Sequence, residues 1–337
     1  MNYSERLNRV IAVTGGTGFI GKRLVLRLLE HGYSVRVLTR KNRNEISLPE
    51  CVQIFEADLA DSQSQLDDFF KDVEVLYHCA GELKNTSQMP IVHIDGTKRL
   101  VSSAKNKIKH WVQLSSVGVY GKVQDGLVDE KFPLSPVNIY EKTKIESDKI
   151  VSKESLKNNF SFCILRPANV YGIGMPGQSL GKLIDFVSKG FFFFVGPPGA
   201  RVNFIHVDDV VDALLLCGNT STCPKGIFNL SDSQTIETLV TIIAKIVGKK
   251  PTTLRLPEYL PRAIIFILQI LPGFPLTFKH VDTLMSRVCY SNDRLVNELG
   301  YSQKITLEDG LQEYIAFRKS EIKNSKLEII EENNRTQ

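Results

Sequence analysis

Short apolar runs alternate with stretches of helical spacing through the first half of the chain. Val10 to Thr14 is an apolar run ending in glycines, Leu24 to Leu29 repeats at helical spacing, and Ser34 to Thr39 alternates like a strand. Val52 to Ala57, Val73 to Cys79 and Trp111 to Ser115 continue the series, with a helical stretch from Asp95 to Lys105 between the last two. This order predicts an α/β fold, a doubly wound parallel sheet whose strands end at one shared edge. From about Pro167 the regularity weakens, and Gly and Pro punctuate loops at Gly172 to Gly177 and Gly196 to Gly199. The expected division is a sheet domain over residues 1–170 and a mixture of the last strands with a smaller substrate-binding lobe over 171–320. Residues 321–337 are charged, carry few large apolar side chains, and are expected as a flexible tail.

Ala263 to Leu271, flanked by Pro261 and Pro272, is the most apolar stretch, with Gln269 its one polar residue. It is too short for a bilayer span, which takes ~20 apolar residues. A buried or substrate-covering helix is the first expectation, and contact with a membrane surface or a lipid-like substrate the second. Lys and Arg number 42 against 37 Asp and Glu, a mild net charge of +5 with no long basic run, so nucleic acid is not an implied partner. The six cysteines are scattered, with no pair at metal-ligand spacing, which predicts no metal site and buried thiols in a reducing compartment. Met1 to Arg9 is polar and lacks the pattern of a secretion signal, so a cytoplasmic location is expected. The composition leaves room for a homodimer.

Thr14-Gly15-Gly16-Thr17-Gly18-Phe19-Ile20-Gly21 follows an expected strand and opens an expected helix, the context that makes a glycine-rich turn informative. Gly15 permits the tight turn, Gly18 lets the backbone approach a pyrophosphate, and Gly21 lets the helix pack close to the sheet. The helix N-terminus favours the phosphate charge. The fold class is therefore a Rossmann-type sheet that binds a dinucleotide. An acidic residue at the end of the second strand would accept hydrogen bonds from the adenosine ribose of NAD. Thr39-Arg40-Lys41 stands there instead, so the cofactor is NAD(P) with a lean to NADP(H), Arg40 supplying a phosphate partner. Asp58, after the third expected strand, either contacts the adenine amino group or caps the segment that follows.

Tyr140 and Lys144 begin a helical stretch and lie one turn apart on one face. Moving hydride to or from a carbinol carbon requires a proton to join or leave its oxygen, and the expectation is that Lys144 lowers the pKa of the Tyr140 phenol for this task. Ser115 and Ser116 put a pair of hydroxyls at a strand end upstream, where Ser116 can hydrogen-bond the phenol and the reacting oxygen together. Leu165-Arg166-Pro167 ends another strand at the same edge, and the Pro turns the chain across the nicotinamide.

The glycine turn, Ser115-Ser116-Val117-Gly118-Val119-Tyr120-Gly121, Tyr140-x-x-x-Lys144 and Arg166-Pro167-Ala168-Asn169-Val170-Tyr171-Gly172 occur in the order of a known family. So do Asn203 to Val210, Phe228-Asn229-Leu230, Leu299-Gly300-Tyr301 and Thr306 to Leu311. In these the chain resembles the NAD-dependent epimerase/dehydratase family, the extended short-chain dehydrogenase/reductases, over almost its whole length. The resemblance implies a catalytic triplet of Ser116, Tyr140 and Lys144, with Lys144 also holding the nicotinamide ribose. It implies cofactor contacts from Gly15, Thr17, Gly18, Phe19, Ile20, Gly21, Arg40, Asp58, Leu59, Cys79, Ala80, Gly81, Tyr140, Lys144, Pro167 and Val170. Substrate contacts would come from Ser116, Val117, Tyr140 and Asn169. Asp208 and Asp209 are expected to cap and orient the helix that follows them.

Family members that remove water from a nucleotide sugar carry an Asp-Glu pair after the catalytic hydroxyl, whereas this chain has Val117 and Gly118, which exchange no proton. A 4,6-dehydratase is thus disfavoured. Val202 stands where nucleotide-sugar members often have an Arg for the diphosphate, and Arg201 is displaced by one residue, which turns its side chain to the other face of a strand. His93 stands where many relatives have Asn, a structural replacement by default. The first expectation is an oxidoreductase or epimerase acting on a nucleotide-linked sugar, by 4-keto reduction or 4-epimerisation. The second is a reductase or dehydrogenase of an apolar hydroxy or keto compound, of hydroxysteroid or dihydroflavonol type, which Phe191 to Phe194 and the 263–271 stretch would favour. The third is a non-catalytic dinucleotide-binding module.

Overall fold

β1 (Val10–Thr14) leads through the glycine turn into α1 (Phe19–Glu30), and β2 (Ser34–Thr39) and β3 (Gln53–Glu56) then extend the sheet to one side. α1 lies on the sheet because Gly21, Leu24, Val25 and Leu28, spaced three and four apart, form one buried face. Each fully buried aliphatic side chain of that face contributes ~1.5–3 kcal/mol. The chain then crosses to β4 (Val73–His78), which pairs with the other side of β1. The computed structural model describes residues 9–62, 66–176, 179–219, 225–268 and 278–335.

The helix expected over Asp95 to Lys105 is α2 (Gly96–Ala104), and a single π turn, Ile91–Asp95, leads into it. β5 (His110–Leu114), the short β6 (Asp125–Val128), α3 (Ile139–Asn158), β7 (Ser161–Pro167) and β8 (Asn169–Tyr171) follow. After α4 (Ser179–Ser188) and β9 (Phe194–Val195) come β10 (Arg201–His206), α5 (Val207–Cys217) and β11 (Gly226–Leu230). The remainder is β12 (Asp232–Thr235), α6 (Ile236–Ile246), β13 (Arg255–Leu256), α7 (Tyr259–Leu268), α8 (Phe278–Met285), β14 (Arg287–Tyr290), α9 (Asp293–Leu299) and α10 (Leu307–Arg335).

The main sheet has seven strands in the order β11-β7-β5-β4-β1-β2-β3, paired in parallel throughout. The direction of winding reverses between β1 and β4, which opens a crevice beyond their carboxyl ends, where ligands of such sheets bind. One core packs the sheet against α1 and α5, through Leu24, Leu28, Val211 and Leu214. A second packs it against α2 and α3, through Leu100, Val101, Trp111 and Val151.

In the later half β11 joins the main sheet, while β10 pairs with β8 and β12 outside it. The smaller lobe has its own core of Leu180, Ile184, Leu239, Ile243 and Leu311, and Phe192 and Phe194 belong to it. Of the aromatic run, Phe191 is the exposed member. In α7, Ile265 is buried against Val195 and Val281, whereas Phe266 is exposed; residues 269–271 of the apolar stretch lie outside the described residues. Residues 321–335, expected as tail, continue helix α10. No helix among the described residues is long and apolar enough to cross a membrane.

Candidate active site

The glycine turn has the geometry that its sequence demands. Gly15 has φ +69°, in the left-handed region, and a Cβ there would lie 2.7 Å from the Ala80 nitrogen. A Cβ on Gly21 would overlap the Gly15 carbonyl oxygen, so both glycines are fixed by close approach of backbone to backbone. Gly18 is the N-cap of α1 and no side chain caps it, nor is there an acidic residue in the first turn. The first N–H groups of α1 are thus available to an anion.

A cavity of about 230 Å³ lies against this turn. Of the expected cofactor residues, Gly15, Thr17, Gly18, Arg40, Asp58, Leu59, Cys79, Ala80 and Gly81 line it, together with Leu38, Thr39, Ala57, Glu82 and Val92. The glycine cradle, the uncapped helix and the strand ends at the reversal point fit a dinucleotide. Asp58 Oδ1 accepts the Ala60 N–H at 2.8 Å, so this carboxylate shapes the turn that follows β3 while lining the cavity. Phe19 and Ile20 do not line it. Phe19 lies toward Gly174, and Ile20 packs on the sheet core. Glu82 was not foreseen: a carboxylate reaches the groove from the loop after β4, and the Asn85 and Lys84 N–H groups, with a smaller pull from Arg40, draw its pKa down. Its Oε1 is held by the Lys84 and Asn85 N–H groups at 2.8 and 3.0 Å.

Tyr140 sits in the first turn of α3, whose start is set by a reciprocal cap. Asn138 Oδ1 accepts the Glu141 N–H at 2.9 Å, and the Glu141 carboxylate accepts from Asn138 Nδ2 and from the Val137 N–H, both at 2.6 Å. The Tyr140 phenol shares a hydrogen bond with the Ser116 side chain. Ser116 Oγ accepts the Gly118 N–H at 3.1 Å, which begins the turn over Val117–Tyr120 and leaves the hydroxyl proton free to donate. Val117 is buried beside Val119 and Ala168, and Asn169, exposed, donates to the Asn203 carbonyl at 3.1 Å. Pro167 ends β7 opposite Leu230, and Val170 pairs in register with Ile205. Ser116, Val117, Tyr140, Lys144, Pro167, Asn169 and Val170 all stand outside the lining of the glycine-turn cavity. Cys79 connects the two regions, since it lines the cavity and the Lys144 charge acts on its thiol.

One expectation about this site is corrected. The Tyr140 phenol is not acidified in this structure: burial, with Asp148 adding to it, pushes it up to about 12 against the pull of Ser116. Lys144 is buried at 6% exposure and its Nζ donates to the Leu114 carbonyl at 2.5 Å. Burial lowers the ammonium's pKa, and Asp148 and Cys79 oppose that. The charge of Lys144 is therefore directed back into the protein rather than at the phenol.

Behind Lys144 lies a buried network that sequence reading missed. Asp148, one turn beyond Lys144, accepts from Ser115 Oγ at 2.8 Å and from Arg166 at 3.2 Å, with the Asp and Arg side chains 5% and 2% exposed. Arg166 also donates to the Tyr120 hydroxyl, which donates to Asn229 Oδ1 at 2.8 Å. The Ser pair is thus split, Ser115 bracing Asp148 and Ser116 facing the phenol. The spacing Tyr140, Lys144, Asp148 was the signal available, because i, i+4 and i+8 share a helix face.

Asp208 and Asp209 do not cap α5. The cap is His206, whose Nδ1 accepts the Asp208 N–H at 3.3 Å. Asp208 instead pairs with Arg23 of α1 at 2.9 Å, and Asp209 accepts the Lys304 and Ile305 N–H groups. Both carboxylates brace neighbouring segments.

The family model for the NAD dependent epimerase/dehydratase family matches residues 11–231. Short-chain dehydrogenase/reductase family 42E member 1 of Xenopus laevis is 30% identical over 247 residues, 67% of this chain; the chain spans 62% of that protein. A Methanocaldococcus jannaschii protein provisionally named UDP-glucose 4-epimerase is 31% identical over 62% of this chain and 73% of its own. The structure of UDP-glucose 4-epimerase with UDP-glucose from Thermotoga maritima superposes with a TM-score of 0.70 at 22% identity, covering 92% of this chain and 99% of the other. That likeness extends to the sheet, the crevice and the small lobe as fold. The chain belongs to the NAD dependent epimerase/dehydratase family and is an enzyme of that class.

Proposed function

We propose that the chain reduces the keto group of a nucleotide-linked sugar, with Tyr140 as proton donor and a reduced nicotinamide dinucleotide in the glycine-turn groove. The bound cofactor supplies hydride to the carbonyl carbon. Ser116 Oγ and the Tyr140 hydroxyl are placed to donate to the carbonyl oxygen, and the phenol gives up its proton as the alkoxide forms. Solvent then returns the proton to the phenolate, while Lys144, held to the Leu114 carbonyl, braces the strand end that carries Ser116. Burial disfavours the charge on Lys144 and Asp148 opposes that effect, and Arg166 in turn opposes the effect of burial on Asp148.

The observation that carries this reading is the hydrogen bond between Tyr140 and Ser116 on a phenol raised to about 12. Such a phenol is protonated at neutral pH, the state that a reductase needs at the start of its cycle.

The sugar is favoured over an apolar ketone because Phe192, Phe194 and Ile265 are used up in the small-lobe cores. Arg201 and Arg287 stand near each other, the Arg201 N–H donating to the Ser286 carbonyl at 2.6 Å. Their guanidinium groups meet backbone carbonyls of Ser233, Pro197 and Pro198, and neither pairs with a carboxylate among the described residues. Arg287, with no carboxylate among the described residues to neutralise it, suits a substrate phosphate, while Arg201 leaves β10 on the face opposite Val202. For the cofactor we propose NADP(H): Arg40 is exposed at the end of β2, and the Glu82 carboxylate facing it is already occupied by its own loop.

The test is loss of nicotinamide absorbance with NADPH and NADH against nucleotide 4-keto sugars and apolar ketones, with a separate product assay for epimerisation. Oxidation driven by a nucleotide 4-keto sugar is expected. Turnover confined to apolar ketones, or interconversion of sugars without net cofactor oxidation, would overturn the proposal.

A further inference from the structure

His93 has a position that its role as a replacement for Asn does not explain. Its side chain is 2% exposed, in the π turn that precedes α2. The extra residue of such a turn frees backbone carbonyls and re-aims side chains. Here the His93 carbonyl is taken by Thr97 Oγ1 at 2.6 Å, which leaves the ring directed between two elements of the site.

On one side, His93 Nε2 accepts the Glu82 N–H at 2.8 Å, and the ring lies over Gly81, where a Cβ would come within 3.3 Å of Nε2. Gly81 and Glu82 both line the glycine-turn groove. On the other side, His93 Nδ1 is 2.8 Å from Thr143 Oγ1, and the Thr143 hydroxyl donates to the Tyr140 carbonyl at 2.9 Å. Only one arrangement of protons satisfies these contacts. Nε2 must be bare to accept a backbone N–H, so Nδ1 carries the proton and donates to Thr143. The imidazole ring also meets the Tyr140 ring edge to face, with centroids 5.8 Å apart and planes at 79°. Burial and the nearby Lys144 keep the ring neutral, at a pKa of about 4.

We propose that His93 is a positioning residue: its Nδ1-protonated imidazole clamps Glu82 in the wall of the cofactor groove to Thr143 and the backbone of Tyr140, and thereby sets the phenol's distance from the bound nicotinamide. The inference rests on the reading of Tyr140 as proton donor. His93 touches no reacting atom, so its loss should act on the chemical step more than on cofactor affinity. An error of about 1 Å in such placement costs on the order of 100-fold.

Three substitutions separate this role from simple packing. His93→Phe keeps the ring contact and removes both hydrogen bonds, and kcat should fall roughly 100-fold with the dinucleotide Kd within about threefold. His93→Asn retains a donor near Nδ1 and should recover about a tenth of the parent kcat. Thr143→Val breaks the same link on α3, and the double variant His93→Phe/Thr143→Val should be no slower than His93→Phe, as expected of residues in one chain of contacts. Independently of any substrate, nitrogen NMR of the unmodified protein should find His93 protonated at Nδ1 and bare at Nε2.

A His93→Phe or Thr143→Val kcat within about threefold of the parent, additive losses in the double variant, or a proton on Nε2 would overturn the proposal. If His93→Phe does not fold, Thr143→Val and the nitrogen shifts decide. Failure of the parent enzyme on every keto sugar would strike the proposed reaction instead, and the nitrogen shifts would still decide the clamp.

Discussion

Asp148→Asn is expected to be among the most destabilising near-isosteric substitutions in the chain. The Asn keeps the size of the side chain and an acceptor for Ser115, so neither a cavity nor a lost hydroxyl contact is at issue. What disappears is one negative charge that serves two buried cations, Arg166 at 3.2 Å and Lys144 one helical turn away. With both cations nearly inaccessible to water, at 2% and 6% exposure, solvent cannot replace it. Removing one partner of a buried pair costs ~3–5 kcal/mol, or roughly a hundred- to a thousandfold in the folding equilibrium. The assay is guanidinium unfolding at pH 7.5 followed by fluorescence of Trp111, which is fully buried in the adjoining core. The double variant Asp148→Asn/Arg166→Met should regain much of the loss, because it removes the stranded guanidinium along with the carboxylate. A loss below about 1 kcal/mol for Asp148→Asn would refute the reasoning, since it would mean that water reaches the network.

Gly21→Ala should weaken dinucleotide binding at least tenfold and cost ~1–3 kcal/mol of stability, because the added methyl meets the Gly15 carbonyl oxygen; calorimetric titration with NADPH checks it. Arg40→Ala should weaken NADPH by about 1.5–3 kcal/mol and leave NADH nearly unchanged, and equal effects on both would remove the case for NADP(H). The buried His78, His93 and His110 all have pKa values lowered mainly by burial. A lowered folded-state value gives stability that is present above the ordinary value of 6.5 and lost as pH falls toward the folded value. For His93, a drop from 6.5 to about 4 corresponds to about 3 kcal/mol. The unfolding midpoint should therefore fall between pH 6.5 and 4.5, and less steeply in His93→Asn; a flat profile there would contradict the neutral assignment.

The sheet and the glycine turn were legible because each rests on a local rule. Alternation marks β2, the apolar run marks β1, and the close backbone approaches at Gly15 and Gly21 admit no side chain. The Ser116–Tyr140 contact was legible for the same reason, with one group at a strand end and the other on the first turn of a helix. The electrostatics behind it were not. α3 buries Thr143, Lys144, Ser147, Asp148 and Ser155, so the inner face of this helix is polar and leaves no apolar stripe to read. Arg166 was visible only as part of a motif, since its partners Asp148 and Tyr120 come from distant segments. The direction of the Tyr140 shift was misjudged because spacing along a helix shows proximity to Lys144 but neither burial nor the Leu114 carbonyl that takes the ammonium. Glu82 entered the groove from a loop with no periodicity, and His93 was read by analogy before its two hydrogen bonds were visible.

The account depends most on the phenol of Tyr140 delivering the proton. The direct measurement is single-turnover hydride transfer in Tyr140→Phe, with saturating reduced dinucleotide and the best keto substrate. The Phe ring preserves the contact with His93 and deletes only the hydroxyl that meets Ser116. Dinucleotide affinity within about threefold of the parent and a transfer rate lower by roughly 100- to 10,000-fold are predicted. A transfer rate within about tenfold of the parent would contradict the account.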